Sequence, residues 1–289
     1  MRALIIGANG QDGFYLNQLL KQKGIEVKGI SKSGDFLRTD ITNFIQLRDV
    51  LKEWQPNYIF HLAANSTTSH QALFDNHDAI TTGTINLLES VKEVSPLSKI
   101  FLSGSGLQFV NHNIPIKETD SFDATSAYAV ARIHSVYAAR YYRTLGLSIY
   151  VGYFFNHESP RRTERHVSKM IAEAVKRISI GSLEKIAIGD LSVKKEWTFA
   201  GDIIEGVLQL MDQDIIFESV IGSGLGYSIQ DYINECFNAI GKKPDNYIEQ
   251  KHGFVASYKT LISNPETINS LGWKPKVNFQ SFVKMMIET

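Results

Sequence analysis

The chain of 289 residues is 43% hydrophobic and 21% charged, with 30 basic against 30 acidic side chains. That is a globular balance, and the zero net charge excludes a bulk electrostatic footprint for nucleic acid or an anionic membrane. The length suits one large α/β domain, or one domain with a small annex, with no need of staples, and the single Cys236 excludes an intrachain disulfide and fits a reducing cytoplasm.

The N-terminus enters a strand directly at residues 3–6, without the marks of a signal peptide, and no apolar run is long enough to span a membrane. Residues 14–23 carry apolar side chains at helical spacing and end at Gly24. Residues 27–30 predict a second strand, 45–54 a helix and 58–62 a third strand. A long helix over 79–94, a strand at 100–103, a helix over 127–145 closed by Gly146 and a strand at 147–153 follow. This alternation predicts an α/β fold of Rossmann type, a doubly wound parallel sheet covered on both faces. Beyond residue 155 the rhythm loosens. Helices are expected over 167–178, 203–211 and 229–240, and short strands at 185–188 and 220–221. The reading is a dinucleotide-binding domain at 1–155 and a smaller substrate-binding region at 156–289, partly interleaved with it.

The first strand runs into Gly7-Ala8-Asn9-Gly10-Gln11-Asp12-Gly13 and then into a helix. Glycines at this spacing permit a tight turn and close backbone approach to a pyrophosphate, while the helix N-terminus supplies free N–H groups. The strand–turn–helix context raises the match above an ordinary βα turn and points to NAD(P). NAD binders usually carry an acid at the end of the second strand; here Ser31-Lys32-Ser33 stands there. A lysine with two hydroxyls suits the extra phosphate of NADP, unless Lys32 is simply a solvated loop residue, in which case NAD remains open. Asp40 is either a partner for the adenine amino group or a helix N-cap. His61, His70, His77, His112, His157 and His166 lack paired ligand spacing, so no catalytic metal is expected. The absence of a Gly-x-Ser-x-Gly elbow argues against a hydrolase.

Several runs together carry a resemblance: Gly10-Gln11-Asp12-Gly13-Phe14-Tyr15-Leu16, Ile114-Pro115-Ile116-Lys117-Glu118-Thr119, Tyr128-Ala129-Val130-Ala131, the distinctive Asn156-His157-Glu158-Ser159-Pro160-Arg161-Arg162, Glu196-Trp197, and Leu271-Gly272-Trp273-Lys274-Pro275. Over nearly its full length the chain resembles the extended short-chain dehydrogenases/reductases (the NAD-dependent epimerase/dehydratase family), and among them the GDP-mannose 4,6-dehydratases. The resemblance implies hydride removal at C4 of a nucleoside-diphosphate sugar, with GDP as the nucleotide. It also implies a dimer or tetramer and a setting in deoxysugar and polysaccharide synthesis. It assigns Tyr128 as the catalytic tyrosine. Leu62, Ala63 and Ala64 become cofactor contacts, Ser66 and Asn156 sugar contacts, and Lys195 and Lys169 candidates for the sugar pyrophosphate. Arg161 and Arg162 fall on a loop used at subunit contacts.

The chain departs from this pattern at three catalytic positions. Arg132 replaces the lysine one helical turn after Tyr128; it keeps the charge but cannot relay a proton. Gly104 and Gly106 stand where the family has a threonine and the glutamate that removes the C5 proton. Ser103 or Ser105 is a candidate replacement for the hydroxyl, and nothing nearby in sequence replaces the acid. The glycines could also open room for a larger sugar. Near the C-terminus Phe254 and Ser257 take the places of an arginine and a glutamate, and Met170 that of a substrate lysine. The expected activity is C4 hydride transfer, of 4-keto reductase type. The alternatives are a 4,6-dehydratase and a catalytically decayed subunit that still binds cofactor and nucleotide sugar.

Overall fold

The computed structural model describes residues 1–251 and 253–288. The first half supplies β1 (Arg2–Ile6), α1 (Gln11–Gln22), β2 (Glu26–Ile30), α2 (Phe44–Trp54), β3 (Tyr58–His61), α3 (Leu73–Asn76), α4 (Gly83–Val94), β4 (Lys99–Ser105), α5 (Ala127–Thr144) and β5 (Ser148–Phe154). The second half supplies β6 (His157–Glu158), α6 (Val167–Ser179), β7 (Ile186–Ile188), β8 (Lys194–Lys195), β9 (Thr198–Phe199), α7 (Ala200–Met211), β10 (Glu218–Ile221), β11 (Tyr227–Ser228) and α8 (Ile229–Ala239). It closes with β12 (Ile248–Gln250), β13 (Thr260–Leu261), α9 (Glu266–Ser270) and α10 (Phe279–Glu288).

The central sheet has six parallel strands in the order β10-β5-β4-β3-β1-β2. This is a Rossmann-type doubly wound fold. The chain moves outward from β1 to β2, then crosses back to lay β3 on the other side of β1. The crevice at that reversal, beyond the carboxyl ends of β1 and β3, is where such sheets bind ligands. Side chains alternate across the sheet as the strand pleat requires. Leu4 and Ile6 face α2, α4 and α5 with Ile59, Ile100 and Val151. Ala3 and Ile5 face α1 and α7 with Phe60 and Phe101. Full burial of a Leu or Ile side chain stabilises by about 1.5–3 kcal/mol, so both layers hold the sheet firmly beneath the crevice. A third core joins α6, α8 and α10.

Four elements differ from the sequence expectation. α1 begins at Gln11 rather than at residue 14, because its polar first turn bonds to a distant segment and so lacks apolar periodicity. The helical run expected from residue 79 begins at Leu73 and passes through a π-helical turn, His77–Thr82, before α4. The strand expected at 220–221 is β10, four residues long, and it pairs with β5 to complete the main sheet. α7 starts at Ala200 and packs on the same sheet. Residues after 155 therefore finish the sheet that the first half begins. No described helix is long and apolar enough to cross a membrane.

Candidate active site

Two adjoining cavities, of about 250 and 540 Å³, run along the carboxyl edge of the sheet and share Gly7, Gly10, Leu62 and Ala64. They form one trough. Asn9, Ser31, Lys32 and Ala63 line the larger part. Gln11, Asp12, Gly13, Ser66, Ser103, Ser105, Tyr128, Arg132 and Asn156 line the smaller. The glycines have separate reasons. A β-carbon on Gly7 would lie 2.7 Å from the Ala63 nitrogen, and one on Gly13 2.7 Å from Ala8 Cα. Both are demanded by backbone packing. A β-carbon on Gly10 would meet only the Gly7 carbonyl, at 3.3 Å, so the bareness of Gly10 serves the trough.

Asp40 does not line this trough. Its carboxylate accepts from the Thr42 N–H at 3.0 Å and the Thr42 hydroxyl at 2.8 Å, and those bonds hold its pKa below the usual range. Asn43 caps α2. Asn43, not Asp40, is therefore the N-cap of α2, and the Asp40 carboxylate closes a turn whose flanking residues Thr39 and Ile41 line the trough.

The catalytic candidates converge at the mouth of β4. The Ser126 hydroxyl accepts from the Ala129 N–H at 3.1 Å and starts α5; this puts Tyr128 in the first turn and Arg132 one turn later. Arg132 Nε donates to the Tyr128 hydroxyl at 3.2 Å, and its Nη1 donates to the carbonyl and, at 2.9 Å, the hydroxyl of Ser103. The Ser103 hydroxyl donates to the His61 carbonyl at 3.2 Å, so it is fully engaged inside the protein. His61 is kept neutral, its pKa pushed down to about 3 by burial and by the Arg132 charge. The Ser105 hydroxyl accepts from Leu107 N–H at 3.2 Å. Among the described residues its own proton has no acceptor, so Ser105 is the serine whose O–H is available to the trough.

The two glycines do not open space. A β-carbon on Gly104 would lie 2.6 Å from Tyr153 Cδ1, and one on Gly106 2.9 Å from the Phe155 ring. Aromatic rings from β5 and the residue after it fill the space that a side chain at either position would enter. Tyr153 cannot swing aside cheaply. Its hydroxyl donates to Glu218 at 2.6 Å, and Glu218 also accepts from Arg140 at 2.7 Å and Arg143 at 2.8 Å. Burial works against the Glu218 charge, but these donors prevail and bring its pKa down to about 2. The expectation of a roomier sugar site is thus corrected. Gly104→Thr lowers stability by about 1–3 kcal/mol, the usual cost of overpacking, read as a lower urea midpoint. An unchanged midpoint would contradict this packing.

The run Asn156 to Arg162 grips the phosphate loop. His157 Nε2 lies 3.0 Å from Asp12 Oδ1, and the Ser159 hydroxyl donates to Gln11 at 2.8 Å. The Arg161 guanidinium sits 3.7 Å from the Phe14 ring centroid, and Arg162 donates to Glu158 at 3.1 Å. The side chains of Asp12 and Gln11, read from sequence as cofactor groups, are therefore held by this segment. The sequence reading missed the link, although both of its ends were singled out as distinctive.

A third cavity, of about 390 Å³, lies in the second half and is lined by Lys195, Met170, Phe254 and Ser257. Lys195 is buried, with Nζ 3.9 Å from Glu158 and 4.4 Å from the Trp197 ring centroid; burial lowers its pKa, and Glu158 works against that. Lys169 does not line the cavity. It pairs with Glu173 at 2.6 Å. No cluster of three or more metal-ligating side chains occurs among the described residues.

The family model for GDP-mannose 4,6 dehydratase matches residues 4–286. The chain belongs to the GDP-mannose 4,6-dehydratase family. GDP-mannose 4,6 dehydratase 2 of Arabidopsis thaliana is 30% identical over 99% of this chain and 86% of its own length. Among solved structures, Thermus thermophilus UDP-glucose 4-epimerase in complex with NAD superposes with a TM-score of 0.87 at 20% identity, covering 100% of this chain and 98% of its own. RMD from Pseudomonas aeruginosa with NADPH gives 0.86 at 20% identity, covering 99% and 97%. At and just after the end of β4 in this family member, Gly104 and Gly106 pack against the rings of Tyr153 and Phe155.

Proposed function

We propose that this protein is an NADP(H)-dependent oxidoreductase that moves a hydride at C4 of a nucleoside-diphosphate hexose and does not carry out 4,6-dehydration. The observation that carries this reading is the filling of the Gly104 and Gly106 positions by Tyr153 and Phe155, beside an intact Tyr128. Dehydration needs an acid–base group at C5 and C6, whereas C4 transfer needs a proton acceptor for one oxygen. Residues 1–155 hold the dinucleotide and 156–289 cover the substrate.

Tyr128 takes the proton from the C4 hydroxyl, or returns it in reduction. The Arg132 Nε–H aimed at the phenol oxygen favours negative charge there while the proton moves. Arginine holds its own proton, so it stabilises without relaying. Ser105 donates to the C4 oxygen. The trough fits a dinucleotide: Gly10 leaves it bare above the N-terminus of α1, and Ser31, Lys32 and Ser33 close its far end. When bound there, NADP(H) supplies or accepts the hydride. Lys195, which lines the third cavity, is the proposed contact for the sugar diphosphate.

The likeness to a family of nucleotide-sugar enzymes makes GDP-linked hexoses the first substrates to test. Other bases belong in the panel because of Phe254 and Ser257. A cytoplasmic homodimer or homotetramer serving deoxysugar and polysaccharide synthesis completes the reading. Incubating the protein with nucleotide sugars, their 4-keto forms and NADP(H) tests it by nicotinamide absorbance. No change with any of them would overturn it. One observation favours a second reading, a decayed binding subunit: Arg132 engages both Tyr128 and Ser103 within the protein.

The cofactor assignment has its own test. Lys32 is exposed at the trough end, and a charge-assisted bond is worth about 1.5–3 kcal/mol, least where water competes. Lys32→Ala should raise the Kd for NADP about tenfold and leave that for NAD unchanged. Equal effects on both, by calorimetry, would assign Lys32 to solvent.

A further inference from the structure

Arg165 lies outside every motif that the sequence singles out. It sits on the connection between β6 and α6, one residue before the N-cap of that helix. The neighbouring charges on this connection are committed: Arg161 to the Phe14 ring, Arg162 to Glu158, and Glu164 to Arg177 at 3.7 Å. Arg165 differs. It is exposed, its Nε reaches only the Thr163 hydroxyl at 3.4 Å, and no carboxylate among the described residues lies within ion-pair distance.

Its position is the informative fact. Among the described residues, Arg165 alone lines both the outer part of the trough, with Lys32 and Gly10, and the third cavity, with Met170 and Lys195. Asp75 shares the outer trough with it, and Asp190 shares the third cavity. Arg165 lines the third cavity beside Met170, five residues on, and brings a second cation to the cavity that holds Lys195.

We propose that Arg165 is a phosphate ligand shared by two substrates: its guanidinium binds the phosphates of the dinucleotide on one side and the diphosphate of the sugar nucleotide on the other. This rests on the reading of the site given above. Two polyanions in neighbouring cavities repel one another, and a cation between them offsets that repulsion. A guanidinium presents donors on more than one edge and prefers phosphate geometry. Each ligand therefore raises the affinity for the other, and the coupling is reciprocal.

The test is calorimetry with GDP and UDP as probes, on wild type, Arg165→Gln and Arg165→Lys, with and without saturating NADP. Lys52→Gln, an exposed residue on α2, serves as control, and melting curves check that all variants fold. In the wild type, NADP should tighten binding of at least one nucleoside diphosphate about tenfold. Arg165→Gln should reduce that coupling to less than about twofold and weaken each ligand alone, while Arg165→Lys keeps part of it as a point charge. Coupling that survives in Arg165→Gln, or is absent from a wild type that binds both ligands, would overturn the proposal. A wild type that binds neither NADP nor any nucleoside diphosphate would instead overturn the functional reading, and this proposal with it.

Discussion

Tyr128→Phe should lower kcat by about 10²–10⁴-fold, the usual contribution of a positioned acid–base group, while the Kd for NADP stays within about twofold. The substitution keeps the ring and its packing against Ile80 and Ala131, so the site keeps its shape. What is lost is the atom that exchanges a proton with the C4 oxygen. Arg132 would lose one acceptor but keep both bonds to Ser103; a buried donor left without its partner costs about 1–3 kcal/mol, so a modest fall in melting temperature accompanies the loss of rate. Ser105 cannot substitute, because it donates to the reacting oxygen and is no base. The same variant decides between the two readings. In a decayed subunit, wild type and Tyr128→Phe would be equally silent, and only their binding of NADP and nucleotide would remain to compare.

Asp12→Asn should cost about 3 kcal/mol of stability. Breaking a buried ion pair costs about 3–5 kcal/mol; Asp12 keeps 23% of its side chain exposed against 9% for His157, which places the loss at the lower end. Both nitrogens of His157 face acceptors, Nδ1 the Phe155 carbonyl at 2.8 Å and Nε2 the Asp12 carboxylate at 3.0 Å. Only the imidazolium donates to both. Burial opposes its charge, but Asp12 outweighs burial and raises the pKa above the ordinary 6.5. Burial likewise opposes the Asp12 charge, and His157 and Arg162 hold its pKa well below the usual 3.8.

The signs then follow from linkage. The histidine's contribution is complete below its unfolded value and fades as pH rises through the higher folded one. The aspartate's is complete above its unfolded value and fades as pH falls through the lower folded one. The pair therefore stabilises most between about pH 4 and 6.5, and the gap in melting temperature between wild type and Asp12→Asn narrows as pH rises beyond that. A gap that is constant or widens toward alkaline pH would contradict an imidazolium at His157. Because this pair ties the phosphate loop to the segment after β5, the variant should also weaken NADP binding.

The alternation of strands and helices was readable because each apolar run reports its own burial. The Gly7 turn was readable because a bare, tight loop between a strand and a helix has few other uses. What escaped was always a matter of partners distant in the chain. β10 looks like a minor strand until β5 offers it an edge. Gln11 and Asp12 stand in the phosphate loop by sequence alone; that His157 and Ser159, 145 and 148 residues on, also bond their side chains shows only in the fold. Ser103 and Ser105 are indistinguishable in sequence, and only the acceptors around them show which hydroxyl is engaged. Gly104 and Gly106 mark a departure that sequence can locate, but whether a glycine leaves a hole or makes room for a neighbour depends on Tyr153 and Phe155. Lys169 and Asp40 were singled out by residue type and position; their partners Glu173 and Thr42 became visible only in the fold.

Hydride transfer at C4 without chemistry at C5 can be followed by label. The protein is incubated with NADP and nucleoside-diphosphate hexoses deuterated at C4, in water, and in parallel with unlabelled sugars in heavy water, and the label is located by NMR. Deuterium should pass from C4 of one of these sugars to the nicotinamide, with no solvent deuterium entering C5 and no loss of the C6 hydroxyl. A 6-deoxy-4-keto product carrying solvent deuterium at C5 would contradict this reading, and so would a sugar that binds while its C4 label never moves.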